Sequence, residues 1–98
     1  MVIGSGAGGL ATAVTAAHLG LKVLVLEKEA VLGGTTAWSG GWMWIPRNPL
    51  AVAAGIAETL DEPLAYLRHE LGARFNESLA RPFLEHGPQM VEFFRANS

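Results

Sequence analysis

The sequence has no cysteine, which excludes thiolate metal sites and cysteine nucleophiles and leaves the redox compartment unreadable. Charge is sparse: 7 Lys and Arg stand against 9 Asp and Glu in 98 residues, for a net charge of −2. The basic residues form no cluster, so the electrostatic footprint of a nucleic-acid binder is missing and no nucleic-acid partner is expected. His18, His69 and His86 are scattered, with no i,i+4 pair and no carboxylates at ligand spacing, so no metal site is expected. There is no Ser/His/Asp signature. Asp61-Glu62 reads as a pair of helix-start acids favoured by the helix dipole, not as an acid–base pair. The stretch 2–26 carries little charge, yet no positive segment precedes it, His18 and Lys22 interrupt it, and glycines crowd its start. Neither a transmembrane segment nor a signal peptide is expected from it.

Glycine, by contrast, is plentiful, and its placement organises the chain. Gly4, Gly6 and Gly9 fit the spacing G-x-G-x-x-G, with the apolar stub Met1-Val2-Ile3 before them and a helical pattern after. The first glycine lets the chain turn sharply off a strand. The second has no Cβ, so a pyrophosphate can approach the backbone, and the third lets the following helix pack close to the sheet. The helix N-terminus then offers free N–H groups and a positive dipole end to an anion. A buried parallel strand usually runs to about five or six residues. Three residues before Gly4 therefore read as a chain that starts inside its own first strand, a truncated beginning.

From Leu10 to Leu19 the residues Leu10, Ala11, Val14, Ala17 and His18 share one face of an alanine-rich helix, and Gly20 suits a left-handed C-cap. Lys22-Val-Leu-Val-Leu-Glu27 reads as a short apolar strand buried on both faces of a parallel sheet. Its terminal Glu27 can accept hydrogen bonds from ribose hydroxyls and would repel a 2′-phosphate. Glycine loop, helix, apolar strand and terminal acid together form a β-α-β half suited to a dinucleotide, against the plainer alternative of a glycine-rich turn with no ligand. A second glycine pair, Gly33-Gly34, follows. Thr35, Thr36 and Ser39 add hydroxyls without charge, which suit a pyrophosphate, a ribityl chain or a flavin edge. A third strand is expected around Gly41–Ile45.

These stretches, Gly-Ser-Gly-Ala-Gly-Gly, then Val-Leu-Val-Leu-Glu-Lys, then Leu-Gly-Gly-Thr-Thr-Ala-Trp-Ser-Gly-Gly-Trp-Met-Trp-Ile-Pro, resemble the FAD domain of the fumarate reductase/3-ketosteroid dehydrogenase flavoprotein superfamily. Ser-Gly-Gly followed by Trp-Ile-Pro is most similar to its 3-ketosteroid Δ1-dehydrogenase branch. The resemblance implies an α/β fold: a partial Rossmann-like FAD-binding β-α-β unit followed by a helical segment, incomplete as a domain. It implies FAD as cofactor, with Gly4 at the turn, Ser5, Gly6, Ala7, Gly8 and Gly9 at the phosphates, Glu27 at the ribose and Lys28 nearby. Gly34, Thr35, Thr36, Ser39, Gly40 and Gly41 would line the flavin side. Many members carry an arginine two residues before the Gly-Gly pair, where this chain has Val31. The family reaction implied is proton abstraction alpha to a ketone with hydride transfer to the flavin. Its proton-transfer tyrosines lie far downstream of this region, so the chain is expected to supply no catalytic residue; Tyr66, the one tyrosine, lies in a helical stretch with no warrant for that role.

Trp42-Met-Trp-Ile-Pro46, if extended, puts Trp42 and Trp44 on one face, either as an apolar platform for a steroid-like substrate or packed against other parts of a larger protein. Beyond it the pattern is helical. A short helix is expected within Ala51–Ala57. Another opens at Asp61 as N-cap, with Leu60, Leu64, Leu67 and Leu71 as its stripe and Gly72 as its end. A third is capped by Asn76 and kinked at Pro82, and Gly87-Pro88 separates it from a fourth. The expected organisation is residues 1–49 as the cofactor-binding half and flavin-side loop, and 50–98 as a helical segment that begins the remainder. The function expected is the FAD-binding N-terminal part of a flavin oxidoreductase acting on an apolar, steroid-like ketone. A cytoplasmic location goes with it, peripheral membrane association being left open. The alternatives are an NAD-dependent oxidoreductase using the same β-α-β half, and a non-catalytic fragment or subunit of a split flavoprotein that pairs with the missing remainder.

Overall fold

A computed structural model describes residues 1–97. The elements in order are β1 (Val2–Ile3), α1 (Ala7–His18), β2 (Val25–Leu26), a 3-10 turn at Gly34–Trp38, α2 (Pro49–Ala53), α3 (Asp61–Leu71), a second 3-10 turn at Gly72–Arg74, and α4 (Glu77–Asn97). The chain divides into two compact units, Met1–Met43 and a second that begins at Trp44.

In the first unit, β1 and β2 pair in parallel, Val2 opposite Val25 and Ile3 opposite Leu26. The Val2 N–H donates to the Leu24 carbonyl at 2.8 Å and the Gly4 N–H to the Leu26 carbonyl at 2.7 Å. The apolar run from Lys22 shortens to two strand residues because β1, its partner among the described residues, is itself two residues long. The expectation of a strand buried on both faces is corrected. Val23, Val25 and Glu27 are half-buried, while Leu24 and Leu26 on the other face are exposed.

Helix α1 starts at Ala7, with Gly8 and Gly9 inside its first turn. The face it turns inward is made of Gly9, Ala13 and Ala16, and not of the larger residues expected there: Leu10 and Val14 are exposed. The reason is distance. A Cβ on Gly9 would lie 2.0 Å from the Gly4 carbonyl oxygen, so the helix runs too near β1 for any side chain at its point of contact. At the other end, the Gly20 N–H donates to the Ala17 carbonyl at 2.9 Å and the Leu21 N–H to the Ala16 carbonyl at 3.0 Å. With Gly20 at φ +83, this is the Schellman motif that Gly20 promised. The expected strand around Gly41–Ile45 does not form; residues 39–45 carry neither helix nor strand. Gly41 adopts φ +73, which takes the chain out of the extended region at the start of the expected strand.

The second unit is helical. Asn48 caps α2 by accepting from the Leu50 and Ala51 N–H groups at 3.0 and 3.1 Å, and Pro49 occupies the first helical position. In α3, Asp61 is not the cap but the first helical residue. The Glu62 carboxylate reaches back to the Thr59 N–H at 2.7 Å and the Thr59 hydroxyl at 3.2 Å, half of a capping box that the Thr-x-x-Glu spacing encodes. Leu60, Leu64 and Leu67 pack with Phe75, Ala80 and Leu84, while Leu71 stays exposed. Asn76 opens α4 by accepting from the Ser78 N–H at 3.0 Å. The expected break at Gly87-Pro88 is absent, and α4 is a single helix of 21 residues containing both Pro82 and Pro88. Each proline removes one hydrogen bond, a cost of about 3 kcal/mol or more. Ala80, Leu84 and Gly87 are buried along one face of the continuous helix. Gly87 is a contact glycine, since a Cβ there would come 2.9 Å from Ile45 Cγ2.

Candidate functional site

The site is built where β1 and β2 release the chain at their C-terminal ends. Gly4 turns off β1 at φ +91, a conformation that side chains resist. Ser5 then descends into the protein, fully buried. Gly6 stands at the N-cap of α1, in open space: a Cβ built on it meets nothing within 4 Å. No side chain caps this helix end and its first turn carries no acid. The leading N–H groups of an α-helix have no intrahelical partner, so here they are available to an anion.

Across from this turn, Glu27 follows β2. Its Oε2 accepts from the Ser5 hydroxyl and from the Ser5 N–H (2.9 Å), and its Oε1 accepts from the Glu29 N–H at 3.0 Å. These bonds, the Ser5 hydroxyl foremost, followed by the backbone N–H groups of Glu29 and Ser5, hold the carboxyl at about 2, so it is ionised at neutral pH. Lys28 points to solvent and pairs with Glu29 at 3.2 Å.

The second glycine loop closes on the first. A Cβ on Gly34 would sit 3.1 Å from the Gly6 Cα, so the two glycines meet backbone to backbone. The Gly33 N–H donates to the Ser5 hydroxyl at 3.0 Å. Between the loops opens a cleft of about 950 Å³, bordered by Gly4, Ser5, Gly6, Glu27, Lys28, Gly34 and Thr35 from the expected set. Its apolar walls are Ile3, Leu26, Val31, Leu32, Ala37 and Trp38, none of which carries a binding signature in the sequence. Leu26 and Ile3 were legible only as strand residues; Trp38 and Leu32 lie within the glycine–threonine stretch and carried no separate signal.

Thr36, Ser39, Gly40 and Gly41 are not part of that lining. The Ser39 hydroxyl donates to the Thr36 carbonyl at 2.7 Å and accepts from the Gly41 N–H at 3.1 Å, so Thr36, Ser39, Gly40 and Gly41 form a local turn. Ser5, expected at the phosphates, has its N–H and its hydroxyl both engaged with Glu27. Ala7 and Gly8 are exposed at the start of α1. The two tryptophans do not share one environment: Trp42 is almost wholly exposed, whereas Trp44 lies in the second unit, tilted against Tyr66 at 5.6 Å and stacked on Phe83 at 6.3 Å.

The donor set fits a dinucleotide with an unphosphorylated ribose: free helix N–H groups, a bare backbone at Gly6, and an ionised acid at the neighbouring strand end. No described helix is long and apolar enough to cross a membrane. Comparison with known proteins gives the same answer from a different direction. The family model for the FAD binding domain matches residues 1–98. The chain is 44% identical over 94 residues to a 4-oxocyclohex-2-ene-1-carboxylate 5-dehydrogenase of Sinomonas cyclohexanicum, covering 96% of this chain and 16% of that protein. It is 41% identical over 98 residues to a 3-oxosteroid 1-dehydrogenase of Mycolicibacterium smegmatis, covering 100% of this chain and 17% of that one. The crystal structure of a 3-ketosteroid Δ1-dehydrogenase from Sterolibacterium denitrificans, in complex with 1,4-androstadiene-3,17-dione, superposes with a TM-score of 0.85 at 45% identity, over 98% of this chain and 17% of that one. The chain thus spans about a sixth of the length of the relatives it matches. It belongs to the FAD binding domain family, and FAD is its cofactor.

Proposed function

We propose that the cleft of the first unit is the cradle for the ADP half of FAD, in a Rossmann-like arrangement, within an oxidoreductase that introduces a double bond next to a ring ketone. The observation that carries this reading is the open space at Gly6, at an uncapped helix N-terminus beside an ionised Glu27. In this reading the N–H groups at Gly6, Ala7, Gly8 and Gly9 hold the phosphates, Gly4 provides the turn that aims them, and Glu27 accepts from the ribose with Lys28 beside it. Gly34 and Thr35 continue the cradle toward the flavin, and the turn of Thr36, Ser39, Gly40 and Gly41 shapes its far end.

When bound, FAD supplies the two-electron oxidant. The residues of this chain bind and orient it, and its glycine backbone lets the phosphates approach without a side chain between. The substrate class follows from what the relatives share. A 3-oxosteroid and a 4-oxocyclohexenecarboxylate both place a ketone on a six-membered ring, so a cyclic ketone is the proposed substrate, steroid-like or smaller. Residues 1–49 serve the cofactor and 50–98 begin the portion that completes the enzyme, in the cytoplasm.

Titration of the chain with FAD, followed by flavin fluorescence with NAD in parallel, tests the proposal. Saturable FAD binding that NAD does not reproduce supports it. Equal affinity for the two cofactors would sink it in favour of a generic dinucleotide half.

A further inference from the structure

We propose that Ser5 is a positioning residue: its buried hydroxyl clamps Glu27 and the second glycine loop to the first, and so sets the shape and affinity of the cleft. The inference rests on the FAD reading for its consequence, but the clamp itself is a property of the protein alone. Ser5 is completely buried, whereas its neighbours in the glycine loop are at least partly exposed. Its hydroxyl donates to Glu27 Oε2 and accepts from the Gly33 N–H at 3.0 Å, and its N–H donates to the same carboxylate oxygen at 2.9 Å. One side chain therefore ties together positions 5, 27 and 33, which belong to three separate segments of the chain.

The chemistry requires a hydroxyl. A serine oxygen can donate once and accept as well, and both capacities are used here. Alanine would strip one donor from the carboxylate and leave the Gly33 N–H without its acceptor. Gly33 immediately precedes Gly34, which lies against Gly6 so closely that a Cβ on it would come 3.1 Å from the Gly6 Cα. Loosening Gly33 therefore shifts the wall of the cleft at the point where the two loops touch. A residue with no surface of its own controls the spacing of the surfaces that meet the ligand.

The test uses Ser5→Ala, Glu27→Gln and the double variant in the complete chain. Without FAD, amide hydrogen exchange at Gly33 should accelerate in Ser5→Ala, and the Glu27 carboxyl, followed by NMR, should titrate well above its wild-type value. With FAD, Ser5→Ala should weaken binding roughly tenfold to a hundredfold, the range expected when a polar group loses its partner. The double variant should bind no worse than the weaker single one, because both substitutions break the same unit. Unchanged Gly33 exchange in Ser5→Ala overturns the clamp, and additive losses overturn its route through Glu27. If Ser5→Ala does not fold, exchange at Gly33 in the wild type carries the test, and a rate as fast as that of an unbonded loop amide overturns the proposal. A wild-type chain that binds no FAD, yet loses Gly33 protection in Ser5→Ala, contradicts the cofactor reading and upholds the clamp.

Discussion

The two units are held together by different physics. In Met1–Met43 the fully buried side chain is a serine, and what organises it is a set of directed contacts: glycines at positive φ, a carboxylate gathering donors, and a two-rung parallel ladder. Its large apolar residues, Ile3, Leu24, Val31, Leu32 and Trp38 among them, are exposed. In the unit that begins at Trp44 the order reverses. Leu64, Ala80 and Leu84 form a small apolar core with Leu60, Leu67 and Phe75 around it, and the polar contacts lie on the surface. The first unit places backbone accurately with little burial; the second buries leucine with little chemistry. A site that must present bare N–H groups to a ligand is better served by the first strategy, because glycine geometry fixes the backbone without side chains in the way.

Breaking that contrast at its tightest point should have the largest effect. Gly9→Ala puts a methyl 2.0 Å from the Gly4 carbonyl, with backbone and not a flexible side chain in the way. The expected outcome is separation of α1 from β1, a destabilisation at or above the upper end of the ~1–3 kcal/mol typical of overpacking. Circular dichroism and urea denaturation check it. In the second unit, Leu84→Ala removes the most deeply buried side chain and should cost about 2–5 kcal/mol. Urea denaturation, with Trp44 fluorescence as the local probe, measures this loss.

A smaller effect is expected at Gly34. Its φ of +54 and its contact with Gly6 both resist a side chain, so Gly34→Ala should cost on the order of 1–2 kcal/mol from the left-handed conformation alone. Flavin titration of that variant should show weakened binding.

The acid limb of stability sharpens the comparison further. Glu27 is held at about 2 against an ordinary 4.5. A depressed carboxyl contributes stability that is present above about 4.5 and lost as the pH falls from there toward 2. Acid titration of the first unit should therefore show a loss in that window, and Glu27→Gln should remove it. The smallest effect belongs to the surface pairs of the second unit. Glu77→Gln breaks contacts to Arg68 and Arg81, all well exposed, and should lower the Tm slightly at low salt and hardly at all at high salt.

Much of the site was legible because glycine chemistry is local. The spacing of Gly4, Gly6 and Gly9 states which residue turns, which is bare and which lets the helix touch the strand, and the geometry at Gly4 and Gly9 agrees with it. The inward face of α1 was not legible. Hydropathy favours Leu10 and Val14, but a helix this close to its strand can turn only Gly9, Ala13 and Ala16 inward, and closeness is a tertiary quantity. The same limit applies to α4, where Pro88 reads as a break and the packing of Leu84 and Gly87 carries the helix through. At the start of α3 the Thr59-x-x-Glu62 spacing encodes the cap contact, while Asp61, which also suits an N-cap by residue type, is already inside the helix. For Ser5 the resemblance implies a place at the phosphates, and the inward turn of its hydroxyl to Glu27 depends on the approach of β2 to β1, which no local spacing encodes.

The most direct test of the central claim is the FAD affinity of Gly6→Ala, measured by flavin fluorescence with circular dichroism alongside. Gly6 has ordinary backbone angles and open space where its Cβ would go, so the variant should fold as the wild type does. If that space is where the cofactor's phosphates sit, the methyl occupies it and FAD binding falls at least tenfold with an unchanged spectrum. Wild-type affinity in a normally folded Gly6→Ala chain would contradict the account and place the cofactor elsewhere.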